Sequence, residues 1–282
     1  MSPILDTSTV TIHDPTTLGP SFLGLEAVVL GLAALTFVHA LRAHRRGATA
    51  AAIPGDRAAM LTWITIVVYG LVMEIVSYNA FDNFAHGQFT VMFYDRQLPL
   101  YITVIYPVML YTGIAVARWL GLRPAAEAFA AGALIVVVDA PFDMVGPQAG
   151  WWRWFDNDPN IAYRWAGVPV TSYYWHLAFG GILAALTAAA ARRMQPARWL
   201  ALPISAAVIV LGVVAFLPFH GLKAAGVGDG VIVGGALALA AAVAVHGAVT
   251  RRVAQPRDPG LLGLWLPFAG YQALVAAALI AR

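Results

Sequence analysis

Glu26, Glu74 and Asp139 lie inside long apolar stretches, and Asp143 follows Asp139 at a spacing of four. A charged side chain in hydrocarbon costs about 2.5 kcal/mol or more, so a carboxyl held there is a functional-site candidate by default. On a continuous helix Asp139 and Asp143 share a face, although Pro141 between them is expected to distort that turn. Two carboxyls that close do not ionise together readily, so one would hold a proton at neutral pH and could act as an acid. His176, in a later apolar stretch, is a candidate proton relay. Glu74, Asp139, Asp143 and His176 are therefore the candidate catalytic residues.

The elements that must position these groups are membrane-spanning helices. The chain has 282 residues, 60% apolar and 11% charged, with a mean hydropathy of +0.74. Segments near 21–42, 60–80, 99–118, 126–146, 170–191, 199–219, 230–250 and 261–281 are each long enough to cross about 30 Å of hydrocarbon. The expected fold is an all-α integral membrane protein of about eight transmembrane helices, a single polytopic domain over residues 21–282 after an N-terminal extracytoplasmic segment, 1–20. Met1–Pro20 has no basic n-region, so the first helix is expected to stay as an anchor. There is no Cys, which removes disulfides, thiolate metal ligands and cysteine nucleophiles together.

Basic residues orient the helices. The connections after helices 1, 3, 5 and 7 carry Arg42, Arg45, Arg46 and Arg57, then Arg118 and Arg123, then Arg192, Arg193 and Arg198, then Arg251, Arg252 and Arg257. The positive-inside rule makes these loops cytoplasmic and puts both termini outside. The Ala-rich, Arg-over-Lys composition points to a bacterial inner or plasma membrane. The formal charge of +3 and the pI of 9.3 are then topology signals. No soluble module carries a basic face, so a nucleic-acid partner is not expected. With this orientation Glu26, Glu74, Asp139 and His176 converge on the outer leaflet, with Asp139 about a turn from the outer end of its helix.

The outer loops after helices 2 and 4 are dense in rings. Tyr78, Trp151, Trp152 and Trp154, continued by Tyr173 and Trp175 in the fifth helix, exceed an interfacial aromatic belt and suggest a lid over the bundle mouth. With Asp95, Arg96 and Arg164 they form the candidate substrate-binding set, the two arginines being expected to set the charge state of the acids. A weak internal repeat pairs 60–118 with 126–191. Each half offers an acid, an aromatic loop and a helix opened by a proline, Pro99 or Pro169.

The run Asp139-Ala-Pro-Phe-Asp143, then Gly150-Trp-Trp-Arg-Trp154, then Gly167-Val-Pro169 resembles the acid, W-x-W and G-V-P pattern of the membrane carotenoid hydratases of the bisanhydrobacterioruberin hydratase type, over roughly residues 70–180. Integral-membrane terpene cyclases are a neighbouring resemblance. What these resemblances imply is protonation of an isoprenoid or carotenoid double bond, followed by hydration or cyclisation. Asp139 or Asp143 would be the donor and Glu74 the base or water holder, with no cofactor and no metal. The physics is compatible: an apolar site keeps a carboxyl neutral until it acts, aromatic faces stabilise a carbocation, and a lid controls water. The substrate would be a lipid-soluble small molecule taken from the membrane lipid.

Structural roles compete with each assignment. Glu26 suits the positive end of helix 1. Glu74 could simply bond a neighbouring helix, His176 could pack, Asp139 and Asp143 could pair with Arg153 or Arg164, and Asp95-Arg96 reads as a lid ion pair. Gly226, Gly230 and Gly234 read as a close helix-packing face. H-E-x-x-H, P-loop and G-x-S-x-G motifs are absent, and the sole lysine, Lys223, excludes a retinal Schiff base in the last helix. A transporter or cation-coupled protein is the alternative function. Helices 6 to 8 carry few polar side chains at mid-depth, however, and nothing acidic is expected to mark the inner leaflet. A lipid-binding subunit without chemistry is the third reading.

Overall fold

The computed structural model describes residues 3–6, 9–49, 52, 55–193, 198–250, 258 and 260–281, with no side chains described for 3–6, 261 and 262. Among the described residues are eight helices long and apolar enough to cross a membrane. They are α1 Pro20–Arg46, α2 Asp56–Phe81, α3 Ile102–Trp119, α4 Pro124–Ala149, α5 Val170–Arg193, α6 Arg198–Ala224, α7 Asp229–Thr250 and α8 Gly260–Ile280. Each follows its apolar segment closely, because a run of about 20 apolar residues satisfies its backbone internally only as helix. The outward faces of α6, α7 and α8 stay apolar and exposed, as at Val210, Leu217, Val231, Leu239, Val249 and Leu274.

Two helices depart from α geometry near the acids. α2 ends in a π-helical turn, Ser77–Phe81, and α3 carries another at Pro107–Tyr111. Pro107 has no N–H to return to the preceding turn, and a wider turn accommodates its ring. In contrast, α4 runs through Pro141 and Pro147 unbroken. Asp139 therefore lies about three turns from Ala149, deeper than its expected place one turn from the end.

α4 is central, packing against α3, α5, α7 and α8. Its approach to α5 is set by glycines: a Cβ on Gly132 would lie 2.3 Å from the Leu177 carbonyl oxygen, and one on Gly180 would lie 2.4 Å from Ile135 Cδ1. Small residues allow this proximity where two helices meet without water. Gly226, Gly230 and Gly234 behave differently from the expected helix-packing face. Gly230 faces the Tyr163 and Trp165 rings, Gly234 faces Trp165, and Gly226 takes a left-handed φ of 86° with open space around it.

The loops at one end of the bundle contain short antiparallel ladders, strands that the all-α expectation did not include. β1 (Pro3–Asp6), β2 (Val10–His13), β4 (Val91–Phe93) and β5 (Leu98–Pro99) form one sheet in the order β1-β2-β4-β5. β3 (Phe84–His86) pairs with β6 (Trp152–Trp154), and β7 (Arg164–Trp165) with β8 (Val168–Pro169). Strands this short carry no usable two-residue period. The β2–β4 pairing brings the N-terminal segment to the same end as the aromatic loops. Pro99 and Pro169 sit in β5 and β8, just ahead of α3 and α5, and not at the first helical positions expected of them.

The opposite end is arginine-rich and also acidic, which corrects the expectation that no acid lies there. Arg118, 4% exposed, donates to Thr62 and Thr187 at 2.7 Å and to the Ala184 carbonyl at 3.2 Å, and its Nε is 3.6 Å from Glu127. Arg46 bonds both oxygens of Asp56 at 2.7 and 2.8 Å and approaches Asp258 at 3.3 Å. His39 bridges Tyr111 and Asp258. These acids escaped notice because they lie near helix starts, not inside apolar runs. Arg251, Arg252 and Arg257 lie outside the described residues. Replacing Arg118 by Leu strands Glu127 and three hydrogen-bonding groups. The expected cost is about 3 kcal/mol, read as a lowered melting temperature of the purified protein.

Candidate functional site

Beneath the aromatic ladders lies a cavity of about 100 Å³ into which Glu74, Asp139, Asp143 and His176 all project, together with His86 and Ser172. The first four are the candidate catalytic residues of the sequence. Its walls are supplied by rings and aliphatic side chains, among them Phe84, Trp152 and Trp154 above, and Phe142, Ile105 and Met109 at the sides.

The roof is the β3–β6 ladder, which joins the loop after α2 to the loop after α4. Its register pairs Phe84 with Trp154, Ala85 with Arg153 and His86 with Trp152. Gly87 N donates to Trp151 O at 2.7 Å and Phe155 N to Asn83 O at 2.9 Å. Those bonds make Phe84/Trp154 and His86/Trp152 the non-hydrogen-bonded pairs, where cross-strand side chains come closest. All four line the cavity, while Arg153 points away, exposed, over the Phe155 ring. Gly150 closes α4 in a left-handed conformation, φ 76°, and Trp151 N returns to Gly146 O at 2.9 Å, which turns the chain directly into β6. A Cβ on Gly146 would come within 1.9 Å of the Trp152 ring, so the roof can lie on α4 only because residue 146 is glycine.

Glu74 sits at one side, where α2 passes into its π turn. Tyr78 OH donates to Oε2 at 2.8 Å, Tyr106 OH donates to Oε1 at 2.7 Å, and His86 Nε2 lies 3.3 Å from Oε2. Donors thus converge on both oxygens, the arrangement of a carboxylate. Tyr106 stands immediately before the α3 π turn, with its ring against Gly70.

The other side is a carboxyl pair. Asp139 and Asp143 are buried one turn apart on α4 and line the same cavity, and two carboxyls that close do not ionise together readily. Ser172 Oγ donates to Asp143 Oδ2 at 2.8 Å. His176 Nδ1 lies 2.9 Å from the Ser172 carbonyl oxygen and 3.4 Å from Asp139 Oδ2. A carbonyl only accepts, so Nδ1 carries the hydrogen and Nε2 is the ring's basic nitrogen, a tautomer assigned from these contacts.

The remaining sequence candidates divide. Trp152 and Trp154 line the cavity and Tyr78 holds Glu74. Trp151, wholly buried, stacks on Tyr271 at 6.0 Å and on Phe142, a packing role. Trp175 stacks on Phe179 at 3.9 Å and donates to Tyr69 OH, behind His176. Tyr173 packs on Trp165. Arg164 pairs with the exposed Asp156 at 2.8 Å, and Asp95 and Arg96 lie with Tyr94 in the left-handed turn between β4 and β5. No arginine lines the cavity among the described residues, so Arg96 and Arg164 do not set the charge of the acids there, and Arg153 does not pair with them. Glu26 accepts from Thr90 N at 3.1 Å and from Thr90 Oγ1, tying the β4 approach to α1, a structural role. His86, Tyr106 and Ser172 were missed. The Ser172–His176 spacing of four within an apolar helix was a usable signal, whereas His86 and Tyr106 reach the site only through the ladder and the π turn.

No curated protein and no solved structure matches the chain. Residues 10–200 match the family described as a domain of unknown function, DUF7802. That span holds α1 to α5, the β3–β6 roof and every residue lining the cavity. It covers more than half of the sequence, and the chain belongs to the DUF7802 family.

Proposed function

We propose that this chain is a multi-pass membrane enzyme that protonates a terminal double bond of an isoprenoid or carotenoid-like lipid and hydrates it. The observation that carries the reading is the division of acids around one apolar cavity: a pair of carboxyls one turn apart, Asp139 and Asp143, on one side, and Glu74, with donors on both oxygens, on the other. The pair gives its proton to one alkene carbon, the adjacent carbon becomes cationic, and water adds there while Glu74 takes the water's second proton. The net change is addition of one water, and the protonation states are reset by proton return from Glu74 to the pair. Phe84, Phe142, Trp152 and Trp154 offer ring faces to the cation, at about 0.5–2 kcal/mol each.

The cavity size bears on the choice between hydration and cyclisation. A space of about 100 Å³ is below the roughly 300–1,000 Å³ of a pocket that encloses a drug-sized ligand. It admits one end of a long chain, with the remainder in the bilayer, which suits hydration. Cyclisation of a polyene needs the folded chain inside.

The arginine-rich end is assigned to the cytoplasm of a bacterial inner or plasma membrane, which places the acid end and both termini outside. The polar cluster around Arg118 favours transport as the second reading, because it supplies a polar inner half. Its charges are mutually paired, and the small cavity beside it shares no lining residue with the acid cavity. Lipid extracts from an isoprenoid-producing host expressing the wild-type chain, Glu74→Gln or Asp139→Asn test the proposal by mass spectrometry. A species one water heavier, in the wild type alone, is expected. An isomer of unchanged mass would replace hydration by cyclisation, and no change with folded proteins would turn attention to transport.

A further inference from the structure

Two buried polar atoms of the roof, His86 Nδ1 and Trp154 Nε1, have no partner among the described residues. Both residues line the acid cavity, and the His86 side chain is only 5% exposed. The ladder register explains their proximity. His86 opposes Trp152 and Trp154 opposes Phe84, so His86 and Trp154 are diagonal neighbours on the inward face, both packed on the Phe84 ring. A buried donor or acceptor left unpaired is costly, and native sites supply it with water or ligand.

The hydrogen positions follow from the surroundings. His86 Nε2 faces the Glu74 carboxylate and is the donor there. In a neutral ring Nδ1 is then a bare acceptor, whereas an indole Nε1–H only donates. The rings of Phe84, Tyr78 and Tyr101 surround the His86 ring. One acceptor and one donor on the same face of the ladder, lining one cavity, complement a group that both donates and accepts.

We propose that His86 Nδ1 and Trp154 Nε1 form a hydroxyl-binding pair in the roof, the alcohol or water O–H donating to His86 and its oxygen accepting from Trp154. An alkene makes neither bond and an ether makes only one. The proposal deepens the hydration reading and rests on it for its meaning: the pair would hold the attacking water and then the product alcohol beside Glu74.

Binding of five- and six-carbon probes tests this without turnover, so it can fail while the chemistry stands, or the reverse. Purified full-length protein in lipid nanodiscs is titrated with 2-methylbutan-2-ol, its methyl ether, and the isosteric hydrocarbon 2,2-dimethylbutane, followed by ligand-observed NMR with empty nanodiscs subtracted. The alcohol is expected to bind the wild type about tenfold more tightly than the hydrocarbon, with the ether between them. Trp154→Phe, which keeps a ring and loses the N–H, should bring the alcohol down to the level of the ether. His86→Phe serves as the second variant and should also reduce the preference, with folding of both checked by circular dichroism. No saturable alcohol binding, equal affinity of alcohol and hydrocarbon, or an undiminished preference in folded Trp154→Phe would overturn the proposal.

Discussion

Asp139→Asn and Asp143→Asn are each expected to lower conversion of the lipid by about 10²–10⁴-fold, the usual contribution of a positioned general acid, while the fold is kept. An amide fits the carboxyl's volume but has no proton to give to an alkene. At position 143 it can still accept from Ser172 Oγ, so the α4–α5 connection survives. Glu74→Gln should behave differently. Tyr78, Tyr106 and His86 converge on its two oxygens, and a glutamine offers only one acceptor oxygen, so at least one of these donors loses its partner. That variant should lose activity and also about 1–3 kcal/mol of stability. Product analysis beside thermal melting of the same preparations separates the two patterns. An inactive Asp139→Asn that melts as the wild type is the outcome a purely structural pair would not give.

Gly132→Ala is expected to destabilise the bundle by about 3 kcal/mol, the upper part of the usual range for overpacking. The new methyl would meet the Leu177 carbonyl oxygen at 2.3 Å and two further backbone atoms of Leu177 within 3.1 Å, and backbone cannot swing aside as a side-chain end can. Relief requires α4 to move away from α5. α4 carries Asp139 and Asp143, and α5 carries Ser172 and His176, so the same displacement should pull Ser172 from Asp143 and reduce activity beyond the loss of folded protein. Gly235→Ala on α7, where a Cβ meets nothing within 4 Å, is the matched control and should melt as the wild type or slightly higher. Equal melting of the two variants would remove this contact as the determinant of the α4–α5 crossing.

The helices were legible because a span long enough to cross a membrane is written in about 20 consecutive residues, and the placing of Glu74, Asp139 and His176 toward one end of the bundle follows once those segments are drawn, although Asp139 lies further from its helix end than expected. Their meeting in one cavity was therefore foreseeable. The roof was not. Phe84–His86 and Trp152–Trp154 are three residues each, and nothing local states that residue 86 will oppose residue 152. That pairing decides that His86 joins Glu74 and that Arg153 points outward. The arginine assignments failed for a related reason: charge near an acid in sequence gives no information on which way a loop folds, and Arg164 turns to Asp156 on the surface. Tyr106 was hidden by the π turn at Pro107, which alters the angular step that helical periodicity assumes.

The most direct measurement is deuterium transfer. Purified protein in nanodiscs loaded with acyclic isoprenoid hydrocarbons is incubated in D₂O, and the recovered lipid is analysed by mass spectrometry for carbon-bound deuterium. One non-exchangeable deuterium per product molecule with the wild type, and none with the folded Asp139→Asn/Asp143→Asn double variant, is the result expected of a carboxyl pair that delivers its proton to an alkene carbon. Carbon-bound label appearing equally with the double variant, or lipid recovered unchanged from folded wild-type protein, would contradict it.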